Sequence, residues 1–399
     1  MSSPSFVRNQ GLDILRGIAI LMVLINHVEP GVLPGLPALS GPAGGVYWHL
    51  RSFGWSGVDM FFVLSGFLIS GLLFKELERT GTLALGRFWG RRAFKVIPSY
   101  AVLLIVLAVT GATAWLDTTS LATTASSLVK HGLFCQNYLE NNPNGPTWSL
   151  AVEEHFYLVM PCMLLLLAWK ADLAQFERRV LYTGVTILVT VLAARCYHAI
   201  HSGVDAGDFR LSHFRIDSLF LGVLVQLLAR RKHPIAQAVL GRPWLALVAA
   251  AVLIAPSFVL GRAHPLMFSI GFTSLGLGYA LVLLMFAQGF DLRHPGPLGR
   301  TLATIGTWSY NIYLWNFFLV SLPLTQHLLK QSWLVNPVLH PVIAVLVRGG
   351  VFIITAIAVG AAFTKLVEAP FLWLRDRVIA QAPRSRPVEE SMPALAVQS

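Results

Sequence analysis

The chain has 399 residues, 55% of them hydrophobic and only 12% charged, with a mean hydropathy of +0.65. That balance at that length excludes an ordinary water-soluble globule and indicates a membrane protein. The net charge of +11 and pI near 9.9 do not call for nucleic acid. The basic residues are spread over short segments between apolar stretches, where membrane topology and anionic lipid headgroups account for them.

Ten apolar stretches are long enough to be read as membrane crossings: 12–30, 55–75, 95–116, 147–169, 180–201, 215–229, 243–261, 266–288, 302–323 and 341–366. The expected fold class is all-α, a polytopic membrane helical bundle of about ten transmembrane helices. One integral membrane domain is expected over 1–370, followed by a cytoplasmic tail over 371–399. The tail opens on a short basic amphipathic stretch, 371–379, and turns Pro-, Ser- and Glu-rich, the composition of a disordered end. Alternating the connecting loops between the two sides places about 20 of the 30 Lys+Arg on the side of the termini and about 6 on the other, which orients the chain N-in and C-in. Arg16 interrupts the first segment and no small-residue cleavage site follows it, so it reads as a retained span rather than a signal peptide. Neither an internal repeat nor an appended soluble domain stands out, so the chemistry is expected inside the membrane part. Three cysteines and twelve histidines show no metal-type spacing, and no metal is expected.

In the first segment (LDILRGIAILMVLINHV), Arg16 and His27 are eleven residues apart. That is three turns, so both side chains share a face, roughly 16 Å apart along the axis. A cation and an imidazole on one stripe of a membrane helix are expensive to place and are functional by default. Run forward with this topology, His27 lies about 8 Å below the outer edge of a ~30 Å hydrocarbon core. Asp59 in the second segment and Glu153 in the fourth descend roughly 6 Å and 9 Å from the same edge. A histidine beside a carboxylate in a partly dry pocket is a general-base arrangement. Glu154 and His155 are equally well explained as groups satisfied locally near the interface. The aromatic and glycine-rich loops 31–54 and 117–146 offer sugar-facing surface. Trp48, Trp55 and Trp148 can stack on pyranose rings, although an interfacial aromatic belt explains them at least as well. On the opposite side, the run RFWGRRAFKVIP supplies Arg87, Arg91, Arg92 and Lys95. It is either a positive-inside flank or a phosphate clamp, which Arg16 would extend inward.

These residues also fall in motifs. LDILRGIAILMVLINHV, WSGVDMFFVLSGFLISGLL, RRAFKVIPSY, PTWSLAVEEHFYLVMP, SYNIYLWN and VEAPF follow one another between residues 12 and 371. In this order the chain resembles the acyltransferase 3 membrane proteins, bacterial O-acyltransferases that modify envelope glycans and some secondary metabolites. The resemblance implies an inner-membrane enzyme with His27 as catalytic histidine and Arg16 as its partner on the same helix. It implies Asp59 and Glu153 as the family's acidic positions, and Arg92 and Lys95 as its basic pair. It further implies acyl-coenzyme A, most often acetyl-coenzyme A, as cytoplasmic co-substrate. The acceptor is then a carbohydrate or glycolipid, met by Trp148, Ser149 and Asn316.

Three positions depart from the family pattern: Lys95 stands for a second arginine, His155 for a glutamine, and Asn316 for a histidine found in many members. Lys95 keeps charge but loses the bidentate fork. A proton-coupled secondary transporter using His27, Asp59 and Glu153 as a relay is the alternative from another class. Coenzyme A binding on the cytoplasmic side separates the two.

Overall fold

The computed structural model describes residues 9–28, 41–110, 121–139, 147–205, 207–230, 233–290, 294–321 and 341–380, and among these every regular element is helical. Helix α1 (Gln10–Asn26) starts where the Asn9 side chain accepts from the Gly11 N–H at 2.9 Å, and His27 is its C-terminal cap. Helix α2 (Gly41–Phe53) passes through one 3-10 turn into α3 (Gly57–Thr80). Gly81 ends α3 in the left-handed region (φ 71°) with its N–H on the Leu77 carbonyl at 2.8 Å, a conformation that glycine adopts without penalty. Helices α4 (Leu85–Thr110), α5 (Leu121–Gly132), α6 (Gln136–Leu139), α7 (Thr147–Ala168) and α8 (Leu173–His201) follow. Asp172 and Gln175 form a reciprocal capping box at the start of α8.

The second half contains α9 (Ile216–Arg230), α10 (Pro234–Leu240), α11 (Pro243–Ile254), α12 (Pro256–Val259), α13 (Phe272–Leu284) and α14 (Pro297–Ser321). It closes with α15 (Pro341–Phe363), a π-helical turn (Thr364–Glu368) and α16 (Ala369–Ala380). The stretch 371–379 is thus part of α16, and the helix runs on unbroken across residue 370. The Pro/Ser/Glu-rich remainder of the tail, 381–399, lies outside the described residues.

Each of the ten apolar stretches holds a helix. Among the described residues, six helices are long and apolar enough to cross a membrane: Gly45–Thr80, Leu85–Val109, Thr147–Ala168, Leu173–His201, Met267–Gln288 and Val345–Ile379. The pair Pro234–Leu240 and Pro243–Val259, bent by 95°, makes a seventh if taken as one span. The other three are α1, α9 and α14. With 17 and 15 residues, α1 and α9 reach only about 25 Å and 22 Å at 1.5 Å per residue, short of a ~30 Å core. In α9 nearly every residue from Asp217 to Ala229 is buried, so it is a central packing helix. The polar content of α14 (Thr301, Thr304, Thr307, Ser309, Asn311, Asn316) sets it apart from a lipid-facing span.

Glycines set the close crossings. A Cβ on Gly306 would lie 1.9 Å from the Asp13 carbonyl oxygen, and one on Gly17 2.1 Å from that of Leu302, so α1 and α14 touch backbone to backbone. Gly66 and Gly222 do the same for α3 and α9, at 1.8 Å from Leu219 O and 2.1 Å from Val63 O. In lipid, where apolar surface gains little by leaving the solvent, such small-residue contacts carry much of the helix association. They hold α1 and α14 in a fixed register, and the candidate site forms along that seam.

Candidate active site

His27 sits where α1 stops, its N–H closing on the Leu24 carbonyl at 3.0 Å. Across the seam, Asn316 of α14 is fully buried. Its amide nitrogen donates to two carbonyls of its own helix, Ile312 O at 3.1 Å and Tyr313 O at 2.6 Å. Both donors being so directed, its oxygen is left as acceptor, and it lies 2.6 Å from His27 Nδ1. With the amide orientation assigned by this network, Nδ1 carries the proton and the lone pair of the neutral ring is on Nε2. The site residue expected to meet substrate is therefore the one that fixes the histidine tautomer.

The two carboxylates expected beside His27 are bonded to other partners. Asp59 is ion-paired with Arg215, both side chains being 1% exposed. Beside them Arg195 makes a bidentate pair with Asp217 (2.7 and 3.3 Å) and bonds Phe214 O (2.8 Å) and Thr273 Oγ1 (2.5 Å). The Arg215 guanidinium also rests 3.7 Å from the Phe272 ring centre. This is a buried ionic network knitting α3, α8, α9 and α13. Glu153 instead accepts from Ser65 Oγ at 3.0 Å and Tyr157 Oη at 2.7 Å. Burial, opposite charge and hydrogen-bond capacity decide these pairings, and boundary counting along separate helices cannot see them.

Glu153 lines a cavity of about 280 Å³ between α1, α3, α4, α7 and α14. Arg16, Arg92 and Lys95 reach the same cavity, so among the charged side chains lining it three cations face one carboxylate. Arg16 pairs with Asp13 at 3.2 Å, and Lys95 with Glu368 of the π-helical turn. Arg92 rests over the Tyr157 ring, 4.7 Å from its centre, and has no salt bridge among the described residues. Arg91 is exposed and does not line the cavity. The far wall is Tyr313, whose hydroxyl meets Ser149 Oγ at 2.6 Å and whose carbonyl accepts from Asn316. One residue therefore joins the cationic cavity to the His27–Asn316 pair.

Trp148 is buried edge-on between Phe62 and Phe209, and Trp55 against Phe272, so neither presents a face for a sugar. Trp48 is exposed, with Arg51 4.5 Å from its ring centre. Of the loops suggested for acceptor contact, 31–40, 117–120 and 140–146 lie outside the described residues. His155 bonds Ser212 at 2.8 Å, a local partner. Sequence reasoning missed Arg195, Arg215, Asp217, Asn311 and Glu368. The signal that singled out Arg16, a charge inside an apolar stretch, applies equally to Arg195 and Asp217. Glu368 lies in the VEAPF motif and takes Asn311 Nδ2 at 2.7 Å besides Lys95.

The sequence profile of a family described as "Acyltransferase domain" matches residues 9–363. "Putative O-acetyltransferase SACOL0978" of Staphylococcus aureus (strain COL) is 29% identical over 337 residues, which is 78% of this chain and 50% of that protein. O-acetyltransferase OatA of Staphylococcus aureus (strain NCTC 8325) is 26% identical over 335 residues, 79% of this chain and 51% of that protein. The chain spans about half the length of the curated relatives it matches. No solved structure matches it significantly.

Proposed function

The chain belongs to the acyltransferase family whose profile it matches from residue 9 to residue 363, and from that premise we propose that it is an integral membrane O-acyltransferase of the bacterial inner membrane. It moves an acyl group, acetyl above all, from cytoplasmic acyl-coenzyme A to a hydroxyl of an envelope glycan or glycolipid on the outer side. The observation that carries this reading is the His27–Asn316 pair, joined through the Tyr313 carbonyl to a cavity lined by Arg16, Arg92 and Lys95.

The donor's phosphates are bound in that cavity, chiefly by Arg92, whose fork has no salt bridge among the described residues. Arg16 and Lys95 add positive potential while remaining tied to Asp13 and Glu368. His27 Nε2 takes the proton of the acceptor hydroxyl as its oxygen attacks the thioester carbon. The new C–O bond forms, the C–S bond breaks, and the proton passes from the imidazolium to the departing thiolate. Asn316 accepts from Nδ1–H throughout, so the ring keeps its orientation as it charges. A thioester is already activated, so positioning and one base suffice. In a two-step variant the same Nε2 lone pair attacks the thioester and carries the acyl group to the acceptor.

Mass spectrometry of envelope glycans from cells with and without the protein tests the reading. Loss of an acyl ester in the deletion, restored by the wild-type gene, is the expected result. An unchanged acyl-ester profile would refute it.

A further inference from the structure

Tyr157 follows Glu153 by four residues on α7, so the two side chains stand on one face of the helix, and both line the cavity. At this residue α7 meets the basic start of α4. The Trp89 indole N–H donates to the Tyr157 carbonyl at 3.1 Å. Three residues further along α4, Arg92 places its guanidinium over the Tyr157 ring, 4.7 Å from the centre. The buried Tyr157 side chain donates its hydroxyl to Glu153 Oε2 at 2.7 Å, and Ser65 Oγ donates to Oε1 at 3.0 Å.

Arg92 is thereby held differently from the other two cations of the cavity. Arg16 and Lys95 are each tied to a carboxylate, Asp13 and Glu368, which occupies N–H donors and offsets charge. An aromatic ring attracts a guanidinium through its face and leaves the N–H groups, which lie in the guanidinium plane, to bind another group. The ring thus fixes Arg92 without neutralising it. Glu153 is the one carboxylate among the residues lining the cavity, and it meets the same tyrosine at the hydroxyl end. Both of its oxygens are taken by neutral hydroxyls, one of them that of Tyr157.

Resting on the O-acyltransferase reading above, we propose that Tyr157 is a positioning residue for the donor. Its ring presents the Arg92 fork to the phosphates of acyl-coenzyme A, and its hydroxyl keeps Glu153 from closing that fork.

Binding of acetyl-coenzyme A to the purified full-length protein is measured by isothermal titration calorimetry, with the melting temperature of every variant recorded. Tyr157→Phe keeps the ring and lets Glu153 turn to Arg92, and is expected to weaken binding about fivefold. Adding Glu153→Gln removes the competing charge, and should return Tyr157→Phe to the affinity of Glu153→Gln alone. Tyr157→Leu with Glu153→Gln loses the platform and should bind about fivefold more weakly than Glu153→Gln alone. Tyr157→Phe binding like wild type, or staying weak after Glu153→Gln is added, would overturn the proposal. Tyr157→Phe packs like tyrosine, so this comparison decides even if Tyr157→Leu fails to fold. The loss in Tyr157→Phe should vanish for S-acetylpantetheine, a thioester without the phosphates, and an equal loss there would overturn the assignment to phosphate. If wild type itself binds no acetyl-coenzyme A, the donor reading has failed and the proposal falls with it. That result differs from a wild type that binds and a Tyr157→Phe that binds equally well.

Discussion

At His27 the Nδ1 nitrogen is held by the amide oxygen of Asn316. Asn316 is locked by its two bonds to Ile312 O and Tyr313 O, and only its oxygen faces Nδ1. Asn316→Ala should therefore lower kcat about 10–100-fold while leaving acyl-coenzyme A KM nearly unchanged, since it releases the tautomer without touching the donor cavity. A kcat equal to wild type would remove Asn316 from the mechanism. The two acids should separate by readout. Asp59→Asn strands the buried Arg215 and should reduce the melting temperature of the solubilised protein, because breaking a buried pair typically costs about 3–5 kcal/mol. Glu153→Gln keeps shape inside the cavity and should reduce turnover with little change in melting temperature. If Asp59→Asn melts like wild type, the network is not the scaffold it looks to be. Arg92→Ala should raise donor KM about tenfold with a smaller effect on kcat, since a phosphate clamp adds mostly uniform binding. The sequence made His27, Arg16 and Glu153 visible because charge in an apolar stretch is rare. It could not show that His27 meets Asn316, Glu153 meets Ser65 or Asp59 meets Arg215, because such pairing depends on which helix faces meet.

Helices α1 and α14 form the seam on which the site depends, and glycine makes the seam. Gly306→Leu would push a side chain into the Asp13 carbonyl, 1.9 Å from the built Cβ, and should both destabilise the protein and abolish transfer. Gly350→Leu, on α15 with nothing within 4 Å of its Cβ, is the matched control and should leave both intact. Equal melting temperatures for the two would deny the seam its role. A second tie joins α4 to the π-helical turn through Lys95 and Glu368. Lys95→Met leaves a buried carboxylate unpaired, so Lys95→Met with Glu368→Gln should be more stable than Lys95→Met alone. Helix positions were legible in sequence because apolar runs bounded by loops are a strong signal. Lengths were less so: the run 215–229 reads as a crossing, and its 15-residue helix is buried on nearly all sides because its neighbours, not lipid, supply its apolar surroundings.

For the whole molecule, the proposed chemistry needs two sides: a cationic cavity fed by acyl-coenzyme A and a histidine reached by the acceptor. The distribution of Lys and Arg predicts both termini in the cytoplasm: a reporter active only in the cytoplasm should then work when fused after residue 380, and a periplasmic one should not. The membrane setting was legible from composition, and the all-helical class from the length of the apolar stretches. The number of crossings was not, because length and apolarity judge each helix singly while burial is shared among all of them. The most direct measurement is acyl transfer from labelled acetyl-coenzyme A to isolated envelope glycan by purified wild type and His27→Ala in proteoliposomes, at matched melting temperature and donor binding. A loss of about 10²–10⁴-fold in His27→Ala is expected from removing the general base. Turnover near wild type in His27→Ala would contradict the mechanism.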